Sequence, residues 1–190
     1  MTKYFLSIFG AIALTIGLCV ALLHHDIIPV DVMYHGSPNR DIMIFQPKMV
    51  QDLRYERDRN VIFASPSIAF ASCYLFRWDD SWVHQMVSFG NPDVIYMVIS
   101  DRERFNKLDA GGAIYLVPPQ NFDHHKGLSI YEWTNKNPVP ILSKIEFNSA
   151  LEAMKKFGIK VYFVNKEQFK EYISLSGDAQ EKFLSEVQND

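Results

Sequence analysis

The longest uncharged apolar stretch of the chain, FLSIFGAIALTIGLCVALL, covers residues 5–23. A stretch of this length is sufficient for one membrane-spanning helix. The single basic residue before it, Lys3, favours a cytoplasmic N-terminus with the rest of the chain on the other side. A cleaved signal peptide is the alternative, with small residues near Ala21 for cleavage, and a buried core helix is the third interpretation. We therefore expect a hydrophobic segment at 1–25 and one domain at 26–190, anchored by a single pass or secreted.

Charge and cysteine content exclude several classes of protein. About 160 residues follow the apolar stretch, which is enough for one domain with a hydrophobic core. The formal charge of −3 leaves no basic footprint for duplex nucleic acid. Of the two cysteines, Cys19 lies in the apolar stretch and Cys73 stands alone, so no intramolecular disulfide is expected. Adjacent histidines at 24–25 and 124–125 would point to opposite faces of a strand, and we predict no metal site.

Short runs of β-forming residues bounded by Gly and Pro dominate the rest of the chain. Strands are predicted at residues 30–37, 61–65, 93–100, 111–119, 128–135, 139–147 and 159–165. Helices are predicted after residue 65, between 148 and 158, and twice beyond 165, with Ser65 and Asn148 as N-caps of the first two. The charged segments 77–82 and 100–105 are predicted to be solvated loops. This mixed order favours an α+β domain built on antiparallel sheets with a few short helices.

Three motifs lie on separate predicted elements. The first is YHGS at residues 34–37, and the second pairs Phe63 at a strand end with Tyr74, eleven residues later on the following helix. The third is EWTN at residues 132–135. A histidine beside a glycine at a strand end can present a polar group to a ligand that the glycine allows to approach closely. Structural roles remain open for each motif: a strand terminus, core aromatics and a solvated glutamate.

In this order the motifs resemble those of the H-Y-E group of ADP-ribosyltransferases, the diphtheria toxin and poly(ADP-ribose) polymerase type. That family opens with Tyr-His-Gly-Ser/Thr and continues with an aromatic residue at a strand end and a tyrosine eleven residues on. The third motif of its toxin branch is Glu, an aromatic residue, any residue and Asn. The resemblance covers roughly residues 32–147. Phe63 departs from the family pattern, which usually has tyrosine there, so stacking is kept but a hydroxyl is lost.

The resemblance implies split antiparallel β-sheets and a mono-ADP-ribosyltransferase, a toxin-like effector that uses NAD as its substrate. Such an enzyme transfers ADP-ribose to a protein or another acceptor, or hydrolyses NAD, and releases nicotinamide. It implies that Glu132 and His35 are the catalytic residues: Glu132 would stabilise the cation that forms at the ribose, and His35 would bind the adenosine ribose. Of the remaining cofactor-binding residues, Phe63 and Tyr74 would lie around the nicotinamide, and Gly36 would bind its carboxamide. Tyr34 and Ser37, the neighbours of this histidine and glycine, would complete the set.

Two other functions stay open. One is a non-catalytic, membrane-tethered module that binds an ADP-ribose-like ligand or a protein partner, which the loss of the hydroxyl at Phe63 would suit. The other is an RNA phosphotransferase on the same kind of fold, and we rank it last because no cluster of basic residues is recognisable near His35. Arg77 or Arg102 could bind a pyrophosphate. The acceptor is not identifiable from the sequence.

Overall fold

The computed structural model describes residues 31–49, 60–124 and 129–187, all within a unit that begins at Asp31. The predicted membrane segment, residues 5–23, lies outside these ranges. Among the described helices, none has both the length and the apolar character needed to cross a membrane.

The described residues form an α+β fold of short strands and few helices, as expected from the sequence. The strands are β1 (Met33–Ser37), β2 (Ile44–Phe45), β3 (Lys48–Met49), β4 (Asn60–Ala64), β5 (Val83–Val87), β6 (Ile95–Ile99), β7 (Gly112–Val117), β8 (Asp123–His124), β9 (Trp133–Asn135), β10 (Val139–Pro140), β11 (Ser143–Phe147) and β12 (Lys160–Phe163). The helices are α1 (Ile68–Ser72), α2 (Arg102–Leu108), α3 (Ala150–Lys156), α4 (Lys166–Ser174) and α5 (Asp178–Glu186).

The strands form four small sheets. Their orders are β1-β7-β11, β3-β4-β9-β8, β5-β6-β12 and β2-β10. Most pairs are antiparallel, as predicted, but β12 runs parallel to β6. The connection between these two strands is long and includes α2 and α3, and a parallel pair requires such a crossover connection.

The sheet β5-β6-β12 is covered on both faces. In β6, Ile95, Met97 and Ile99 lie in the main hydrophobic core. The alternate residues Tyr96 and Val98 lie in a second cluster on the other face, which includes side chains from α4 and α5. All five residues of β6 are buried. This two-sided burial explains why the strand reads as a continuous apolar run rather than as an alternating one.

Two helices begin later than predicted. The N-cap of α1 is Ser67 rather than Ser65, since the Ser67 hydroxyl accepts the Phe70 N–H at 3.2 Å. The helix ends at Ser72, so Tyr74 lies in the turn beyond α1 rather than on it. The N-cap of α3 is Ser149 rather than the predicted Asn148.

Other differences concern short or irregular segments. The predicted strand 139–147 is divided between two sheets, because β10 pairs with β2 and β11 pairs with β7. The predicted strand 128–135 is reduced to β9, preceded by a turn in which the Glu132 N–H donates to Ser129 O at 2.8 Å. Segment 100–105 is not a loop: the Asp101 carboxylate accepts the Arg104 N–H and caps α2, whose Phe105 is fully buried. Strand β5 was not predicted.

Candidate active site

The candidate site begins where the backbone ladder between β1 and β4 ends. Tyr34 and Ser65 exchange two backbone hydrogen bonds, of 2.7 and 2.8 Å. This is an isolated bridge, and the next residues to pair in an antiparallel ladder would be Gly36 and Phe63. The Phe63 carbonyl instead accepts a hydrogen bond from Nδ1 of His35 at 2.6 Å. The imidazole therefore takes the place of the next backbone hydrogen bond of the ladder, and beyond it β1 and β4 separate around a cleft.

The cleft has a volume of about 730 Å³, within the usual range for a small-molecule or cofactor site. It contains six of the seven residues that the sequence singled out: Tyr34, His35, Gly36, Phe63, Tyr74 and Glu132. The other lining residues come from β4, α1, the segment after α1 and the turn before β9: Ala64, Ser65, Phe70, Ala71, Phe76, Arg77, Trp78, Asp79, Asp80 and Tyr131. The three motifs, separated by up to about a hundred residues of chain, thus border one cavity.

The imidazole of His35 is held in a defined orientation and charge state. A carbonyl oxygen can only accept, so the hydrogen bond to Phe63 places the proton on Nδ1. Burial lowers the pKa of His35; the Phe63 carbonyl opposes that shift, and the nearby Lys48 ammonium adds to it. The ring also contacts Phe45, with ring centroids 4.2 Å apart. A neutral ring with its proton on Nδ1 has Nε2 as a hydrogen-bond acceptor.

Gly36 is required by close packing, and its peptide groups border the gap. A methyl group at this position would lie 1.9 Å from the carbonyl oxygen of Ala71 in α1. Since Tyr34 directs its backbone groups to Ser65, alternation along the strand directs the N–H and C=O of Gly36 to the same side. Within the part of the chain that the structure describes, no hydrogen bond occupies them.

A row of aromatic rings lines the cleft from the turn before β9 to the segment after α1. Successive ring centroids are 5.4 Å apart for Tyr131 and Phe70, 5.6 Å for Phe70 and Tyr74, and 5.5 Å for Tyr74 and Trp78. The Tyr74 hydroxyl donates to Oε1 of Gln85 in β5 at 2.9 Å. Such polar anchors fix the rings, which can then offer flat apolar surface to a planar ligand.

Glu132 lies in the turn before β9 rather than within a strand. Its Oε2 accepts the Ser129 N–H at 3.2 Å, which orients the carboxylate. In a regular strand Glu132 and Tyr131 would face opposite sides, but both line the cleft because the turn breaks the alternation. Trp133, by contrast, is in β9, and its ring contacts His124 at 5.6 Å.

Ser37 is the candidate that does not line the cleft. It is buried at the end of β1, and its hydroxyl accepts the Asn39 N–H at 3.2 Å. Of the two candidate arginines, Arg77 lines the cleft, whereas the Arg102 guanidinium lies 3.9 Å from the ring centre of Phe163.

Sequence reasoning missed Phe70 and Trp78 as lining residues. Together with Tyr74 they recur every fourth residue, a spacing that places side chains on one face of a helical turn and would have been a usable signal. No group of metal-ligating side chains occurs among the described residues. Comparison of the chain with protein-family models, curated proteins and solved structures finds no match.

Proposed function

We propose that the cleft binds NAD and that the protein transfers ADP-ribose from it to a protein or another acceptor, with release of nicotinamide. The observation that carries this proposal is the interrupted ladder at Gly36 and Phe63, beside the row of aromatic rings. An exposed strand edge next to flat apolar surface is complementary to a planar ring that bears a primary amide.

The carboxamide of nicotinamide matches the open edge of β1. A primary amide presents a donor and an acceptor side by side, as a strand residue does. The N–H and C=O of Gly36 would therefore bind it as they would bind a neighbouring strand. The pyridine ring would then lie among the cleft aromatics, with Phe63 and Tyr74 as the expected flanking residues.

The rest of the dinucleotide would use two polar groups of the cleft. The acceptor Nε2 of the neutral His35 ring suits a hydroxyl of the adenosine ribose, which is a donor. The exposed guanidinium of Arg77 suits the pyrophosphate, since arginine binds phosphate oxygens bidentately.

Glu132 would act on the ribose of the nicotinamide half. In the reaction the bond between C1′ and the nicotinamide nitrogen breaks, and its electron pair leaves with nicotinamide. The acceptor then forms a bond to C1′ and loses its proton, and water can take the acceptor's place. The Glu132 carboxylate, fixed by the Ser129 N–H, would stabilise the positive charge that develops on the ribose.

The test is nicotinamide release from NAD by the full-length protein. We expect Glu132→Gln to lower the rate by at least about 100-fold, because a group acting only in the transition state is removed. The mutant should keep its affinity for NAD, measured by calorimetry. Glu171→Gln on α4, an exposed glutamate outside the cleft, is the matched control and should keep full activity. Equal release by the Glu132→Gln and wild-type proteins would exclude the catalytic role.

A non-catalytic binding module is the second candidate. It is favoured by Phe63, which lines the cleft without the hydroxyl usual at that position of the family. The same measurements separate the two functions. NAD binding by the wild-type protein without nicotinamide release would support the module and contradict the transferase.

A further inference from the structure

The outer edge of β11 is an unpaired strand edge remote from the cleft. β11 is the last strand of the sheet β1-β7-β11, and no strand in the described ranges pairs with its other side. Four of its five residues are exposed, and Phe147 is the buried one. Unpaired edges of this kind are templates for pairing with another strand.

The register of the sheet shows which peptide groups face outward. Because Tyr34 bonds to Ser65, the residue that exchanges hydrogen bonds with β7 is His35, paired with Tyr115. The next residue of β7, Ile114, therefore faces β11 and bonds to its partner there, Ile145. It follows that the flanking residues of β11, Lys144 and Glu146, direct their N–H and C=O groups away from the sheet.

The side chains of these two residues carry opposite charges on one face of the strand. The Lys144 ammonium lies 2.5 Å from the Glu146 carboxylate. A hydrogen bond between them lowers the pKa of Glu146 and raises that of Lys144, so both are charged at neutral pH. The sequence Ser-Lys-Ile-Glu-Phe is thus complementary in charge to its own reverse, with Ile145 at the centre.

We propose that β11 pairs antiparallel with β11 of a second copy of this chain, about a two-fold axis at Ile145. In that register Lys144 of each copy faces Glu146 of the other, and the outward peptide groups form four hydrogen bonds. The four charged side chains alternate in sign across the two strands, an arrangement that stabilises antiparallel pairs. The two Ile145 side chains, each 38% exposed in one chain, meet at the axis.

A second copy is favoured as the partner because the strand is complementary in charge to its own reverse. The charges also specify the register, since a shift by two residues places Lys144 or Glu146 opposite an uncharged residue. One strand pair buries less surface than a stable dimer needs. Dimerisation should therefore be weak, with a dissociation constant on the order of 10 to 100 µM. It leaves the cleft free, since β1 lies at the opposite edge of this sheet.

Disulfide cross-linking tests the register. We introduce Ile145→Cys into the full-length chain with Cys19→Ser; Cys73 stays unreactive because it is buried, which raises its thiol pKa to about 12. Opposed residues of a non-hydrogen-bonded pair have Cα atoms about 4.5 Å apart, within disulfide range. Mild oxidation should give a covalent dimer at least about ten times faster than in the control Ile173→Cys, at a similarly exposed position on α4. Equal rates would overturn the proposal.

Charge reversal tests the pairing independently, with dimerisation measured by sedimentation equilibrium. Lys144→Glu places four carboxylates together and should weaken dimerisation at least about fivefold. Adding Glu146→Lys restores alternation and should restore dimerisation. Failure of the double mutant to recover, or a wild-type protein that stays monomeric at about 200 µM, would contradict the proposal. Nicotinamide release should be unchanged in all variants, so the outcome is independent of the proposed function.

Discussion

The strands β6 and β1 meet opposite structural demands. β6 has a strand partner along each edge and a hydrophobic cluster on each face, and all five of its residues are buried. β1 is paired along one edge with β7. On the other edge, its backbone forms a single bridge, between Tyr34 and Ser65 just after β4, and the His35 side chain bonds to the Phe63 carbonyl. The first arrangement pairs the strand with a neighbour along both edges, whereas the second leaves the N–H and C=O of Gly36 without a backbone partner among the described residues.

The two regions are connected through β5. Its residue Gln85 accepts the Tyr74 hydroxyl, so a strand of the β5-β6-β12 sheet orients a ring of the cleft. The two regions therefore have different roles in the proposal: the β5-β6-β12 sheet supports the cleft, and the interrupted ladder borders the proposed binding surface. Substitutions in the two regions should separate these roles.

The largest effect on stability is expected in β6. Ile99 is fully buried in the main core, and Ile99→Ala should lower the free energy of unfolding by about 2–5 kcal/mol. Denaturant unfolding measures this change. Ile173→Ala, at an exposed position on α4, should change it by less than about 0.5 kcal/mol. The affinity of the folded protein for NAD should stay the same, and a weaker affinity in Ile99→Ala would show that the two regions are not separable.

Gly36→Ala should affect both stability and binding. The added methyl group would meet the Ala71 carbonyl and displace α1, at a cost of about 1–3 kcal/mol. Because α1 leads into Tyr74, NAD affinity should fall together with stability. Gly90→Ala is the matched control, since nothing lies within 4 Å of a side chain placed there. Unchanged NAD binding by a folded Gly36→Ala protein would argue against the carboxamide site.

The contrast between β6 and β1 also explains what the sequence could predict. An uninterrupted apolar run such as β6 specifies a buried strand by itself, and the structure places it within the predicted limits of 93–100. The expectation that the three motifs border one cleft came from their resemblance to the ADP-ribosyltransferase motifs, and six of the seven residues do line one cavity. The first prediction depends on a local pattern, and the second depends on a resemblance between short motifs.

The remaining features depend on contacts between distant residues. The end of the ladder is set by the bond from His35 to the Phe63 carbonyl, and neither residue alone signals it. The turn that brings Glu132 into the cleft is set by the hydrogen bonds between Glu132 and Ser129. Read in isolation, the sequence of this turn resembles that of an ordinary strand. The parallel pairing of β12 with β6 likewise follows from where α3 packs, which residue periodicity does not encode.

The smallest effect should appear as a pH dependence that distinguishes the two regions. Burial is the main cause that lowers the pKa of both His35, at the cleft, and His84, in β5. The unfolded chain then binds more protons than the folded one below the ordinary histidine pKa of 6.5. Each histidine therefore contributes stability that is complete above pH 6.5 and is lost as the pH falls through the folded-state pKa, with a slope of at most about 1.4 kcal/mol per pH unit.

His35→Asn should remove one of these two contributions without removing the bond that ends the ladder. The Asn side-chain amide can donate to the Phe63 carbonyl in place of Nδ1, but it does not titrate. The free energy of unfolding, measured between pH 5 and 7, should therefore fall less steeply on acidification than in the wild-type protein. His84→Asn should make the same curve less steep while leaving the affinity for NAD unchanged. His35→Asn should weaken the affinity for NAD, since the acceptor Nε2 is lost. If both variants bind NAD as tightly as the wild-type protein, His35 only terminates the ladder and does not bind the ligand.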